Sequence, residues 1–191
     1  MGYDLSLVIA NDEQIEFLGA HPEHTRDFLD AKRPTRSVVE VTTSWFRKRE
    51  TTRTEVIETK CDWPEAPLTS VQLYLRGGLY FLLNGTHETV EAVTNFPNVG
   101  GRYRKDMLGK ACELGEVGLG RAHAFKSSEV RQLQEAVAAI GKSVLESRIQ
   151  SIAAEMEFED PAGEAERDLA SLKEVVGLAV VRKCGLIWFW G

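Results

Sequence analysis

The sequence predicts an α+β fold, a single compact domain over residues 1–191 with strands at both chain ends and several helices between them. Two segments rich in apolar, β-branched and aromatic residues, at 3–9 and 186–190, carry the strand prediction. Stretches with the 3.6-residue period of amphipathic helices lie between them. We therefore expect an antiparallel or mixed sheet that includes the N- and C-terminal strands, with the last strand pairing near the first.

The first 34 residues predict one strand and two helices. After the strand, Asn11 is expected to cap a helix that continues through "EQIEFLGA". Pro22 begins a second short helix with Phe28 and Leu29 as its apolar anchors, and Pro34 marks its end.

A basic segment follows. Residues 32–53 contain seven Lys or Arg and two Glu, a net charge of +5. Two β-branched groups predict strands around a polar turn: Val38, Val39 and Val41, then Val56 and Ile57. "SWFRKR" also fits a helical turn before a mobile loop. Residues 33–70 are therefore interpreted as a variable basic insertion or hairpin, and their conformation stays open.

The middle of the chain predicts a helix and then irregular structure. Residues 71–83 are almost continuously apolar, which favours a helix with Gly85 as its terminating glycine. Residues 95–120 are glycine-rich and are expected to be irregular.

The C-terminal half predicts three helices and a strand. Ser127 or Ser128 caps the first helix, and Ser143 caps the second. Asp160 and Pro161 open a long third helix, which Gly185 ends. The final "LIWFW" is apolar on both faces and is expected to be a central or covered strand.

The net charge and the cysteine content of the chain argue against several classes of protein. A net charge of −6 and a pI near 5.3 argue against general nucleic-acid binding, which needs a concentrated excess of Lys and Arg. Three cysteines without CxxC spacing favour reduced thiols in the cytoplasm. No segment approaches the roughly 20 apolar residues of a membrane span. We expect a cytoplasmic protein without a cofactor.

Several candidate sites have simpler interpretations. His21 and His24 are metal-ligand types, but no further cluster completes a site, so we expect surface histidines and no metal. The glycines at 115, 118 and 120 fit positive-φ turns better than a phosphate-binding loop. Cys112 is interpreted as a small buried or half-buried residue rather than a nucleophile. No catalytic residue is assigned.

Three segments in order, "GLYFLLNG" at 78–85, "GLGRAHAFKSSEV" at 118–130 and the helix, glycine and aromatic strand at 161–190, together resemble the bacterial YfbM-like family, a domain of unknown function. The resemblance implies an α+β domain and no established reaction. Arg76 and Gly77 stand where the family has a Trp-His pair, and His123 lies within a departure from its Ala-Arg-Tyr run. Lys126 replaces its Thr cap, which moves the expected cap to Ser127.

Our leading hypothesis is a cytosolic protein-binding module, in its specific form an immunity or regulatory protein that binds a partner through its acidic surface. Trp45 and Phe46, within the basic segment, are candidate partner contacts. The segment at 155–174 has a net charge of −6, so pairing with the basic segment within one chain or across a homo-oligomer explains the same pattern.

The alternative is a small-ligand-binding protein or an enzyme of unknown reaction. Its pocket would lie between residues 76–85 and 115–125 and be lined by Arg76, Tyr80, Arg121 and His123. A nucleic-acid role for a loop at residues 45–53 ranks third.

Overall fold

Five antiparallel strands form the main sheet of the computed structural model, which describes residues 5–44, 47–73, 112–118, 120–152 and 161–190. The strands are β1 (Leu5–Ala10), β4 (Val71–Leu73), β5 (Cys112–Val117), β6 (Gly120–Phe125) and β7 (Gly185–Trp190), in the order β4-β1-β7-β6-β5. β2 (Thr35–Ser44) and β3 (Arg47–Val56) form a separate two-stranded sheet. The predicted α+β class and the pairing of the first and last strands are confirmed.

Helices cover both faces of the main sheet. They are α1 (Asp12–Ala20), α2 (Thr25–Leu29), α3 (Ser127–Ala138), α4 (Lys142–Ile152) and α5 (Pro161–Val181). A 3₁₀ turn at Pro22–His24 precedes α2. The helices from Asn11, Pro22 and Pro161 are therefore close to the predicted positions.

The period-two alternation of β1 and β7 divides the core into two layers. Leu5, Leu7, Leu186 and Trp188 are buried against α3, α4 and α5. Val8, Ala10 and Ile187 face the other way, in a cluster with α1, α2 and Trp63. Because β7 is covered on both faces, its apolar sequence without alternation has a direct explanation, and the predicted central position is confirmed.

The first residues of α1 and α3 test the predicted helix caps. Asn11 caps α1 as predicted, accepting from the backbone N–H of Gln14 at 2.8 Å. α3 begins at Ser127, so neither Ser127 nor Ser128 is its cap, and Lys126 is in the N-cap position instead. The Asp12 carboxylate takes the capping role by accepting from the backbone N–H and hydroxyl of Ser127 at 2.8 and 2.7 Å. A residue distant in sequence therefore does what a local cap was expected to do.

Two predictions for the middle of the chain are wrong where the structure describes it. Residues 71–73 form β4 rather than a helix, because they pair with the edge of β1, where Leu73 faces Leu5. Residues 112–117 form β5 rather than irregular structure. Gly115 permits this, since a Cβ there would lie 1.7 Å from the carbonyl oxygen of Pro22. The rest of the predicted helix, with Gly85, lies outside the described residues.

Two helix ends also differ from the prediction. α4 begins at Lys142, and Leu145 donates to the carbonyl of Gly141 at 3.0 Å, so Ser143 lies inside the helix rather than at its cap. α5 ends at Val181, and the left-handed residue that follows is Lys183, with φ 54°, rather than Gly185.

Gly185 instead allows two elements to meet closely at the start of β7. A Cβ at this position would lie 2.2 Å from the carbonyl oxygen of Phe125 and 2.4 Å from a methyl carbon of Ile15. The backbone oxygen belongs to the end of β6, so it cannot move without disturbing the strand pair. Glycine is therefore required by packing, with no unusual φ involved.

We predict that Gly185→Ala destabilises the protein by at least about 2 kcal/mol, because the added methyl group displaces backbone. Gly177→Ala is the matched control, since an added Cβ there meets nothing within 4 Å and lies in the interior of α5. That control should stabilise by about 0.5–1 kcal/mol. Urea unfolding measures both, and a Gly185→Ala variant within about 0.5 kcal/mol of the parent protein would contradict the packing argument.

Candidate functional site

The strands β2 and β3 form a two-stranded ribbon, called the arm here and comprising residues 35–44 and 47–56. Each strand has ten residues, and the register runs from Thr35 opposite Val56 to Ser44 opposite Arg47. Of the two conformations left open for the basic segment, the structure has the two strands. Trp45 and Phe46, the predicted partner contacts, lie between them and outside the described residues.

One face of the arm is uncharged over most of its length. Directly paired residues share a face of a sheet, so Val39 with Thr52 and Thr35 with Val56 place these side chains together. Val39, Val41 and Val56 are 55%, 47% and 62% exposed. We call this the Val/Thr face, whose described members are Thr35, Ser37, Val39, Val41, Glu50, Thr52, Thr54 and Val56.

The opposite face holds Arg and Glu side chains that form ion pairs and so neutralise each other's charge. Arg36 and Glu55 are 3.2 Å apart across the strands. Arg53 lies 3.2 Å from Glu40 and 2.6 Å from Glu55. The Arg36 and Arg53 guanidinium groups hold the pKa of the Glu55 carboxyl below its usual value. The basic charge of this part of the arm is thus matched by carboxylates of the arm itself.

The base of the arm is attached to the body of the protein. Ile57 donates to the carbonyl of Pro34 at 2.8 Å, beyond the last strand pair. The indole N–H of Trp63 donates to the carbonyl of Lys32 at 2.9 Å, and its ring meets Phe28 edge-on at 5.2 Å. These contacts fix the position from which the arm extends.

The second predicted site is described only in part. Arg121 is exposed and pairs with Glu113 on the neighbouring strand. His123 is buried at 6% exposure, and its ring stacks on Trp188 at 5.5 Å. Arg76 and Tyr80 lie outside the described residues, so the ligand pocket that would combine all four side chains stays a prediction.

His24 corrects the expectation of surface histidines. It is 5% exposed, while His21 has a half-exposed side chain. Its Nδ1 and Nε2 atoms lie 3.5 Å from Asp27 and 3.7 Å from Glu23, respectively. The 3₁₀ turn that carries it packs on β5 where the carbonyl of Pro22 meets Gly115, and the ring of Phe17 stacks on the imidazole with the ring centroids 6.5 Å apart. Across the described residues, no group of three or more His, Cys, Asp and Glu side chains is placed to hold a metal ion.

The remaining candidates have structural roles. Gly118 has a φ of 59° and turns the chain between β5 and β6, as the positive-φ interpretation predicts, whereas Gly115 lies inside β5. Cys112 is half-buried, as expected, and all three cysteines are free thiols. Burial raises the pKa of the Cys61 and Cys184 thiols, which favours their protonated forms.

A comparison with family models, with curated protein sequences and with solved structures finds no match to this chain. Within the described parts of the chain, no helix is long and apolar enough to cross a membrane.

The valines of the Val/Thr face are predicted strand residues, but their sequence alone does not mark them as candidate binding residues. A period-two signal was available, because Val39 and Val41 on one strand and Thr52 and Thr54 on the other are each two residues apart. Their pairing on one face depends on the register of the hairpin, which the sequence leaves open.

The ion pairs of the arm predict how the Glu55 carboxyl titrates. We expect the Glu55 carboxyl to titrate below the usual glutamate value, and Arg36→Gln and Arg53→Gln each to move the midpoint upward. A carboxyl with a lowered pKa stabilises the arm above its unfolded pKa and loses that contribution as pH falls through the folded pKa. Carboxyl carbon chemical shifts measured by NMR test this in the parent protein and in both variants; a Glu55 midpoint that neither substitution moves would contradict the pairing.

Proposed function

We propose that this chain is a protein-binding module that docks on its partner through the Val/Thr face of the arm. One observation carries the proposal: the arm separates its described side chains into an exposed Val/Thr face, on which Glu50 is the one described charge, and an opposite face that carries the ion pairs. An isolated two-stranded ribbon is at best marginally stable in water. Its exposed valines lose contact with water only when a further surface covers them.

Charge pairing favours a protein over a nucleic acid as the partner. Phosphate binding needs cations available to replace counterions. Arg36 and Arg53 instead contact carboxylates within the arm. The Val/Thr face offers β-branched side chains, which suit packing against an apolar protein surface.

A more specific proposal rests on the net charge of the chain and on its resemblance to the YfbM-like family. We propose a cytoplasmic immunity or regulatory protein of the YfbM-like family, whose acidic surface binds a basic partner. Outside residues 32–53 the chain has 16 basic and 27 acidic residues, a net charge of −11, which supports that version. A captured partner with an acidic binding surface would contradict it.

The test uses a substitution that keeps the β-branched shape. We expect Val39→Thr/Val41→Thr to abolish capture of a stoichiometric partner by the tagged protein, because the two new hydroxyls would be buried without hydrogen bonds. Val38→Thr is the matched control, since Val38 is paired with Arg53 on the opposite face of the same strand. Each tagged variant is crosslinked in host extract and, separately, with a differently tagged copy of this chain. Quantitative mass spectrometry then measures which proteins each variant captures.

Equal recovery of every captured protein by the two variants would mean that the Val/Thr face is not a docking surface. Circular dichroism and the thermal midpoint establish that both variants fold like the parent protein.

A further inference from the structure

We propose that two copies of this chain pair through the outer edge of β2, antiparallel about a two-fold axis at Val38, so that the two arms form one four-stranded sheet. The surface involved is an edge of the arm, whereas the proposed function concerns its Val/Thr face. This inference therefore goes beyond the proposed function, and each of the two can fail without the other.

The arm has two long edges that are open to a further strand. β2 and β3 each have ten residues, and among the described strands each pairs only with the other. The backbone N–H and C=O groups along the outer side of such a strand can pair with another chain. Because a two-stranded ribbon is only marginally stable in water, each added strand stabilises the arm.

Composition favours the edge of β2 over the edge of β3. β2 has one Arg and one Glu, a net charge of zero, and six of its ten residues are Val or Thr. It contains no Lys or Pro, the residues that most often protect a sheet edge from pairing. β3 has four Lys or Arg and two Glu, a net charge of +2, so two copies of it repel each other. We therefore expect the second copy at β2.

One register of β2 against itself matches opposite charges. A two-fold axis perpendicular to the sheet at Val38 places Arg36 of each copy opposite Glu40 of the other, since each lies two residues from the axis. Moving the axis by one residue separates these charges. Moving it by two residues places either Arg36 or Glu40 opposite its own copy, which is repulsive.

This register allows seven residues of each β2 to pair. Pairing runs from Thr35 opposite Val41 to Val41 opposite Thr35, and the preceding residue, Pro34, has no N–H to donate. Of seven antiparallel pairs, three or four exchange two hydrogen bonds each, about six to eight bonds in all. The backbone thus supplies affinity, and the two Arg36–Glu40 pairs fix the register.

Arg36 and Glu40 can each take this second partner. Within one arm, Arg36 contacts Glu55 and Glu40 contacts Arg53, both at 3.2 Å, yet the Arg36 and Glu40 side chains are 68% and 54% exposed. A guanidinium has five N–H donors and a carboxylate about four acceptor sites, so one contact saturates neither group. Charges of alternating sign then cross the seam between the two copies.

The same register joins the two Val/Thr faces into one surface. The row across the sheet that contains Glu50 runs through Val41 to Thr35 and Val56 of the second copy. Glu50 therefore meets no other carboxylate in its row. The dimer offers a partner twice the Val/Thr surface of one arm.

Sedimentation equilibrium of the full chain from about 1 μM to about 1 mM tests the pairing, and we expect a monomer–dimer equilibrium. Val38→Lys should raise the dissociation constant at least about tenfold, because two lysines then lie opposite each other at the axis. Thr51→Lys is the matched control, since it adds the same charge to the same face but on β3, opposite Glu40. That control should leave the constant within about threefold of the parent value.

A mixing experiment tests the register. Arg36→Glu and Glu40→Arg should each weaken self-association at least about tenfold, because like charges then meet twice across the axis. A mixture of the two variants should form a heterodimer within about threefold of the parent constant, since every mixed pair again joins opposite charges. Sedimentation of one fluorescently labelled variant with the other unlabelled measures this recovery, which misfolding cannot produce.

Three results would overturn the inference: a monomer over the whole range, equal constants for the Val38→Lys and Thr51→Lys variants, or no recovery in the mixture. Growth beyond a dimer would also contradict it, because two-fold pairing is closed.

The Val39→Thr/Val41→Thr variant separates this inference from the proposed function. It should lose partner capture yet dimerise within about threefold of the parent constant, since both side chains lie on the face of the arm and away from the axis. Loss of the dimer in this variant would contradict pairing through the edge. A monomeric parent protein that still captures a host protein would overturn the dimer and leave the proposed function standing.

Discussion

The position of β7 between β1 and β6 is the constraint on which the described structure depends. Six residues of β7 pair with β1, and three of them are also paired with β6, so the C-terminal strand joins elements from both ends of the chain. Trp188 and Ile187 send their side chains into opposite core layers. Gly185 lets this strand begin close to Phe125 and Ile15, which belong to different core layers.

The arm differs from β7 in what surrounds its side chains. Its strands pair only with each other in the described sheets, and alternation divides its side chains between solvent and ion pairs rather than between two cores. The same physical rule, a side-chain period of two, thus yields a buried strand in β7 and a two-faced ribbon in the arm. What differs is the covering, which the helices provide for β7 and which we propose a partner provides for Val39 and Val41.

Local signals predicted the elements whose chemistry is local. Asn11 caps the helix that it directly precedes, as predicted, and the structure adds the side chain of Gln14, three residues later, as its reciprocal partner. Signals failed where a distant residue decides the outcome. Val71–Leu73 is a strand because β1 offers it an edge, and Ser127 is not a cap because Asp12 reaches it from another helix. The turn that carries the buried His24 likewise packs against a distant residue, Gly115 of β5.

The candidate site shows the same difference between local signals and those that depend on distant residues. Alternating Val and Thr residues are visible in the sequence, but only the register shows that Val39 and Thr52 share a face. The pairing of Arg53 with two carboxylates also needs the register, since Glu40 is on the other strand. In the described part of the arm, Arg36 and Arg53 therefore pair with carboxylates on one face, and the exposed valines Val39 and Val41 lie on the other.

Amide hydrogen exchange of the arm, relative to β7, tests the central claim most directly. The protein should be diluted until it sediments as a monomer. We expect β7 amides to exchange only through global unfolding, and arm amides from Ser37 to Thr54 to exchange through local opening at rates at least about 100-fold faster. If arm amides were as protected as those of β7 in the monomer, the arm would be packed on its own body, and the claim of an uncovered docking face would be wrong.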